Sequence, residues 1–184
     1  MKWADYDSRA CSVARTVEVL GDRWTLLVLR DVFNGIRRFA DLSQHLGVAR
    51  DVLTKRLSAL VDEGLIKRVP YQEPGARTRY EYRLTDAGRE LRPVLLALLE
   101  WGDRHRSDPD GPPAQLFHAD CGAPVRVEVR CAEGHEIGPR THLAAQPGPG
   151  SRALPVSPAG APGPAGAPGA AGRPGAAGRL SGSW

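Results

Sequence analysis

Apolar residues recur at helical spacing through the first sixty positions of the chain, and the period then changes. From Cys11 to Leu20 they fall at Val13, Val17 and Leu20, which predicts a helix closed by Gly21. Asp22 stands at an N-cap position. The stretch through Trp24, Leu27, Val28 and Leu29 predicts a second, strongly apolar helix to about Phe33, before the Asn34-Gly35 turn. Phe39, Leu42 and Leu46 share one face of a short third helix, and Gly47 follows where a left-handed residue ends a helix. A fourth helix is predicted from about Arg50 to Glu63, with Leu53, Leu57, Leu60 and Val61 on one side and Gly64 at its end. Two short helices joined by a glycine turn are a helix-turn-helix.

The period next becomes two. Leu65–Tyr71 and Arg77–Leu84 read as strands; in the second, Thr78, Tyr80, Tyr82 and Leu84 alternate with Arg77, Arg79, Glu81 and Arg83. A hairpin directly after a helix-turn-helix is a wing. Thr85 is placed to cap a last helix with a wide apolar stripe at Leu91, Val94, Leu95, Leu98 and Trp101. Pro93 is expected to kink or break it. The fold class is mainly α with a small β-hairpin wing. It is predicted to be a winged helix-turn-helix over residues 8–107, followed by a linker and small Cys/His-containing extension at 108–143. Two strands are expected in the extension, one of them Val125–Val129. A disordered Gly/Pro/Ala-rich tail is expected over 144–184.

Charge sharpens this picture. Of a formal net charge of +4, the whole excess lies between Arg37 and Arg83, where ten Lys/Arg face six acids. Arg50, Asp51, Thr54 and Lys55 lie on the polar side of the fourth helix near its N-terminus, where a helix in a DNA major groove reads base edges. Arg56, Arg37, Arg38 and the wing residues Arg77 and Arg79 suit phosphates, which position without specifying. The chain shows no nucleophile–base pairing, no glycine-rich phosphate loop and no usefully spaced carboxylate pair, so an enzyme is not expected. His45, His105 and His142 have no evident partners, and His45 reads as structural. The longest apolar runs are too short to span a bilayer and no signal peptide is visible, which makes the cytoplasm the expected location and gives the membrane no role.

Six motifs in order resemble the HxlR-type branch of the MarR-like winged-helix regulators. They are Cys11-Ser-Val-Ala-Arg, the run from Leu20-Gly-Asp-Arg-Trp to Asp31, Gly35-Ile-Arg-Arg-Phe-Ala-Asp-Leu42, Leu53-Thr-Lys-Arg-Leu-Ser-Ala-Leu60, Glu63-Gly-Leu, and Tyr82-Arg-Leu-Thr-Asp-Ala-Gly88. The resemblance implies a transcription regulator, more often a repressor. It would act as a homodimer on a pseudo-palindromic double-stranded DNA operator, with the first and last helices at the dimer interface. A stripe that is simply core is the alternative for the last helix. The alternative for the whole chain is a nonspecific or structural nucleic-acid-binding protein. A small-molecule or redox effector is implied without being identified.

Cys11 matches a position at which several members sense oxidants or electrophiles, although Ser12 replaces their usual proline. A helix N-terminus with Arg9 and Arg15 nearby favours a thiolate; a small buried apolar residue is the other reading. His118, Cys121, Cys131 and His135 form H-x2-C…C-x3-H, with nine residues between the pairs. That set suits tetrahedral zinc, but Gly134 stands where similar extensions carry a cysteine, which favours a degenerate hairpin with two cysteines over a metal site. From Gly160 to Gly178 glycine recurs every third residue, the collagen period, yet three chains would be needed for a triple helix.

Overall fold

The computed structural model describes residues 2–154. Residues 1–153 group as one compact unit; the collagen-period triplets and most of the expected tail lie outside the described residues.

Among the described residues, two short 3-10 turns are followed by six α-helices and one hairpin, in the order α1 (Ser12–Leu20), α2 (Arg23–Phe33), α3 (Phe39–Leu46), α4 (Arg50–Asp62), β1 (Ile66–Tyr71), β2 (Arg79–Leu84), α5 (Asp86–Arg89) and α6 (Arg92–His105). Local chemistry sets their ends. The Asp22 carboxylate caps α2, accepting from the N–H of Trp24 at 2.9 Å and of Thr25 at 3.3 Å. Gly47 ends α3 at φ 60°, a left-handed conformation that a side chain would strain. Thr85 Oγ1 accepts from Gly88 N at 3.1 Å and donates to Gly64 O at 2.6 Å, so one hydroxyl caps α5 and ties it to the end of the helix-turn-helix.

The core joins α2, α3, α4 and the base of the hairpin through Val28, Leu29, Leu42, Leu53, Leu57, Leu60 and Ile66, all at most 1% exposed. Each such aliphatic side chain contributes roughly 1.5–3 kcal/mol by leaving water. The antiparallel ladder pairs Ile66 with Leu84, Arg68 with Tyr82 and Tyr71 with Arg79. The stretch at Arg37 and Arg38 runs along β2, with Tyr82 N donating to Arg37 O at 2.8 Å and Arg38 bridging Glu81.

One expectation is met and two are corrected. The last helix is broken as expected, into α5 and α6, because Pro93 lacks an N–H and is tolerated only in a first helical turn, where α6 places it. The alternation in β2 buries Tyr82 against the core but leaves Tyr80, nearer the tip of the hairpin, 55% exposed. Val125–Val129 forms no strand. The extension closes through isolated bridges, Phe117 with Pro124 and Arg130 with Glu136, on either side of that stretch.

Candidate nucleic-acid interface

The leucines of α4 decide what its other face can do. With Leu53, Leu57 and Leu60 buried, Arg50, Asp51, Thr54 and Lys55 are turned outward and all four are exposed. Ala49 precedes α4 and has no side-chain acceptor, so no cap covers the first N–H groups, and that end of the helix offers donors to an anion. Thr54 Oγ1 donates to Arg50 O at 2.7 Å within the helix. The Arg50 guanidinium lies 5.1 Å from the centre of the Phe39 ring, which steadies the residue at the helix entrance. Asp51 and Lys55 have no side-chain partner among the described residues.

The predicted phosphate contacts divide. Arg37, Arg77 and Arg79 are exposed and make no side-chain ion pair among the described residues. Arg38 is engaged: its Nη1 lies 2.8 Å from Glu73 Oε1 in the wing loop, and its guanidinium packs over Tyr71 at 4.5 Å. Arg56 turns back toward α2, where Nη2 meets the Asp22 carboxylate at 3.0 Å while its buried Nε lacks a partner. Neither pairing could be read from spacing, because Glu73 and Asp22 are brought near only by the hairpin and the α2–α4 packing.

Asp31 is fully buried, and its carboxylate makes one ion pair and one contact with a histidine ring. Arg30 Nη2 lies 2.7 Å from Oδ1 and His45 Nδ1 lies 2.7 Å from Oδ2. His45, which had no evident partner in the sequence, therefore joins α3 to α2. Likewise His105 packs against Trp101 at a ring separation of 5.0 Å.

Cys11 precedes α1 as its N-cap residue and is half-buried. The N–H groups of Ala14 and then Val13 hold its thiol below the usual value, opposed by partial burial. The expected help from Arg9 is absent, because Asp7 takes that guanidinium at 3.0 Å.

The four candidate metal ligands, His118, Cys121, Cys131 and His135, are not brought together. Each turn of the extension gathers its own two residues, with His118 Nδ1 3.2 Å from Cys121 Sγ and His135 Nδ1 3.5 Å from Cys131 Sγ. Among the described residues no three His, Cys, Asp or Glu come together to hold a metal ion. Glycines at positive φ, Gly122 and Gly134, tighten the two turns separately, and no regular strand between them draws the pairs together.

A buried helix-turn-helix, an outward polar face on its second helix and a flanking basic hairpin define a winged-helix DNA-binding transcription regulator. Residues 19–110 match the HxlR-like helix-turn-helix family, and the chain belongs to that family. It is 45% identical over 143 residues to the uncharacterized HTH-type transcriptional regulator Rv3095 of Mycobacterium tuberculosis, covering 77% of this chain and 89% of that protein. It is 41% identical over 93 residues to a regulator of Synechocystis, sll1512, covering 50% of this chain and 67% of the other. Among solved structures, the candidate transcription factor PA1607 aligns at a TM-score of 0.66 and 37% identity, over 76% of this chain and 97% of that one. The candidate transcription factor PA1374 of Pseudomonas aeruginosa aligns at 0.52 and 38%, over 76% and 93%. Among the described residues, no helix is long and apolar enough to cross a membrane.

Proposed function

We propose that the protein is a sequence-specific repressor that grips a pseudo-palindromic DNA operator as a homodimer. One observation carries the reading: Arg50, Asp51, Thr54 and Lys55 are exposed together on the helix whose opposite face is locked into the core. Base edges are reached by such a face, while Arg37, Arg77 and Arg79 meet phosphates on either side. Dimerisation is supported by apolar surface that a monomer has no use for. Val13 and Val17 of α1 are 69% and 56% exposed, and Val94, Leu98 and Trp101 of α6 are 44%, 49% and 52% exposed. In vitro selection of bound DNA, followed by a gel shift against excess random competitor, tests the proposal. The expected site is an inverted repeat with half-sites about one helical turn apart. Complete displacement by random DNA would leave a nonspecific nucleic-acid-binding protein instead.

A redox or electrophile response through Cys11 is the effector mode best supported, because helix N–H groups stabilise its thiolate. Operator affinity that falls after mild peroxide or quinone treatment in the wild type, and stays constant in Cys11→Ser, is the expected outcome.

A further inference from the structure

Helix α6 carries three separate stripes. Leu91, just before it, and Leu95 pack on the core, while Val94, Leu98 and Trp101 are bare. The third stripe, Leu96, Leu99 and Asp103, has the i, i+3, i+7 spacing of one helix face and lines a cleft of about 420 Å³. Leu116, Phe117 and Val125 of the extension contribute to its lining. The cleft has a built frame. Glu100 Oε2 accepts from Val127 N at 2.9 Å and fastens the extension to α6. The turn that supplies Phe117 is held by Val125 N to Leu116 O at 2.9 Å and His118 N to Ala123 O at 2.8 Å.

Its volume falls in the range of small-ligand sites, about 300 to 1,000 Å³, and its walls are mainly apolar, although the cleft is open to water on the side of Leu116, Phe117 and Val125. The charge pattern selects its sign. Glu100 is already used by Val127 and by Arg104, whose Nη2 lies 3.1 Å away. Asp103 is half-buried and has no hydrogen-bond or ion-pair partner among the described residues. It stands in the last turn of α6, where the helix dipole adds negative potential. With Glu100 taken up by Arg104, the free charges on the lining are Asp103 and Arg126; Arg126 is exposed to water, whereas Asp103 is half-buried, so the less hydrated charge in the cleft is negative. Asp103 is therefore a half-buried carboxylate on a mainly apolar lining, without a counter-charge among the described residues.

We propose that this cleft is an effector site for a small amphipathic cation, with an aromatic or branched alkyl body against Leu99, Phe117 and Val125 and an ammonium head on Asp103. The effector role rests on the regulator reading above; the binding does not. The ligand would act on the helix that also carries the bare Val94, Leu98 and Trp101 stripe, and so on the surface proposed for dimerisation.

Isothermal titration of the full chain with benzyltrimethylammonium, its neutral carbon isostere neopentylbenzene and the anion benzenesulfonate tests the site. The cation is expected to saturate one site per chain and to bind about tenfold more weakly to Asp103→Asn, the loss of one ion-pair attraction at a half-buried site. That variant should keep the wild-type melting temperature, since Asp103 has no partner to lose. Absence of saturable binding by the cation, equal binding of the anion or the neutral isostere, or indifference to Asp103→Asn overturns the site. Operator affinity is measured with and without the cation, and a several-fold change is expected. Binding with unchanged operator affinity overturns the effector role. If the ligand-free protein binds no operator, the regulator reading fails while calorimetry still decides the cation site.

Discussion

Individual side chains on this surface have separable duties. Lys55 projects from α4 without a partner, and its replacement by alanine should change base preference at one operator position, worth about 1–3 kcal/mol against the original base. Arg77 lies in the wing loop, and Arg77→Ala should weaken binding to all sequences alike and lower the salt slope by about one. Selection profiles and salt titrations of both variants check this pair, and a reversed pattern would mean that the roles are exchanged. Gly88 illustrates a steric duty. A methyl group there would run into the carbonyl oxygen of Leu65, which is backbone and also accepts from Thr85 N at 3.1 Å. Gly88→Ala should lower stability by about 1–3 kcal/mol in urea unfolding.

Cys11 yields a pH prediction. Its folded-state thiol is lowered by the N–H groups of Ala14 and Val13, so its rate of alkylation should rise with pH around a midpoint below that of an ordinary thiol. A depressed folded value means that the associated stability is present above the unfolded value and fades as pH falls through the folded one. In a Cys121→Ser, Cys131→Ser background, iodoacetamide kinetics should show this midpoint, and unfolding in urea should move it upward. An unchanged midpoint on unfolding would remove helix α1 as the cause.

At the level of elements, the wing and the helix-turn-helix are linked by the Arg38–Glu73 pair. Both side chains are about half exposed, so the pair contributes at most about 1 kcal/mol to stability, and a phosphate can compete for the guanidinium. Glu73→Gln should therefore leave the fold intact, tighten binding to specific and random DNA alike and steepen the salt dependence. Anisotropy titrations at several salt concentrations would expose the opposite result, weaker binding, if Glu73 instead holds the wing in its DNA-bound pose. The buried Asp31 plays the complementary structural part. By holding His45 it fixes α3 against α2.

For the whole molecule, the bare stripes of α1 and α6 are the dominant feature. A charge at Leu98 meets water in a monomer but would be buried unpaired in a dimer. Leu98→Glu should leave the melting curve of dilute protein nearly unchanged, shift sedimentation from dimer to monomer and reduce operator affinity by at least a hundredfold, because two weak half-site contacts no longer add. A variant that remains dimeric would place the interface elsewhere.

The order of elements and the residues of the core were legible from the chain alone, because they depend on local properties. Leucine spacing along α4, an acid at the α2 N-cap and a glycine at position 47 act within a turn or two of backbone. The outward face of α4 follows as soon as its leucines are assigned to the interior. Pairings between distant residues were not legible. Arg38 and Glu73 lie 35 positions apart and Asp31 and His45 lie 14 apart, and only the packing of helices and hairpin sets those distances. The same holds for the separation of the two His–Cys turns and for the cleft beside α6. A residue's pattern determines which side of its own element is apolar; which other surface meets that side, or leaves it open, is decided only when the whole chain competes for contacts.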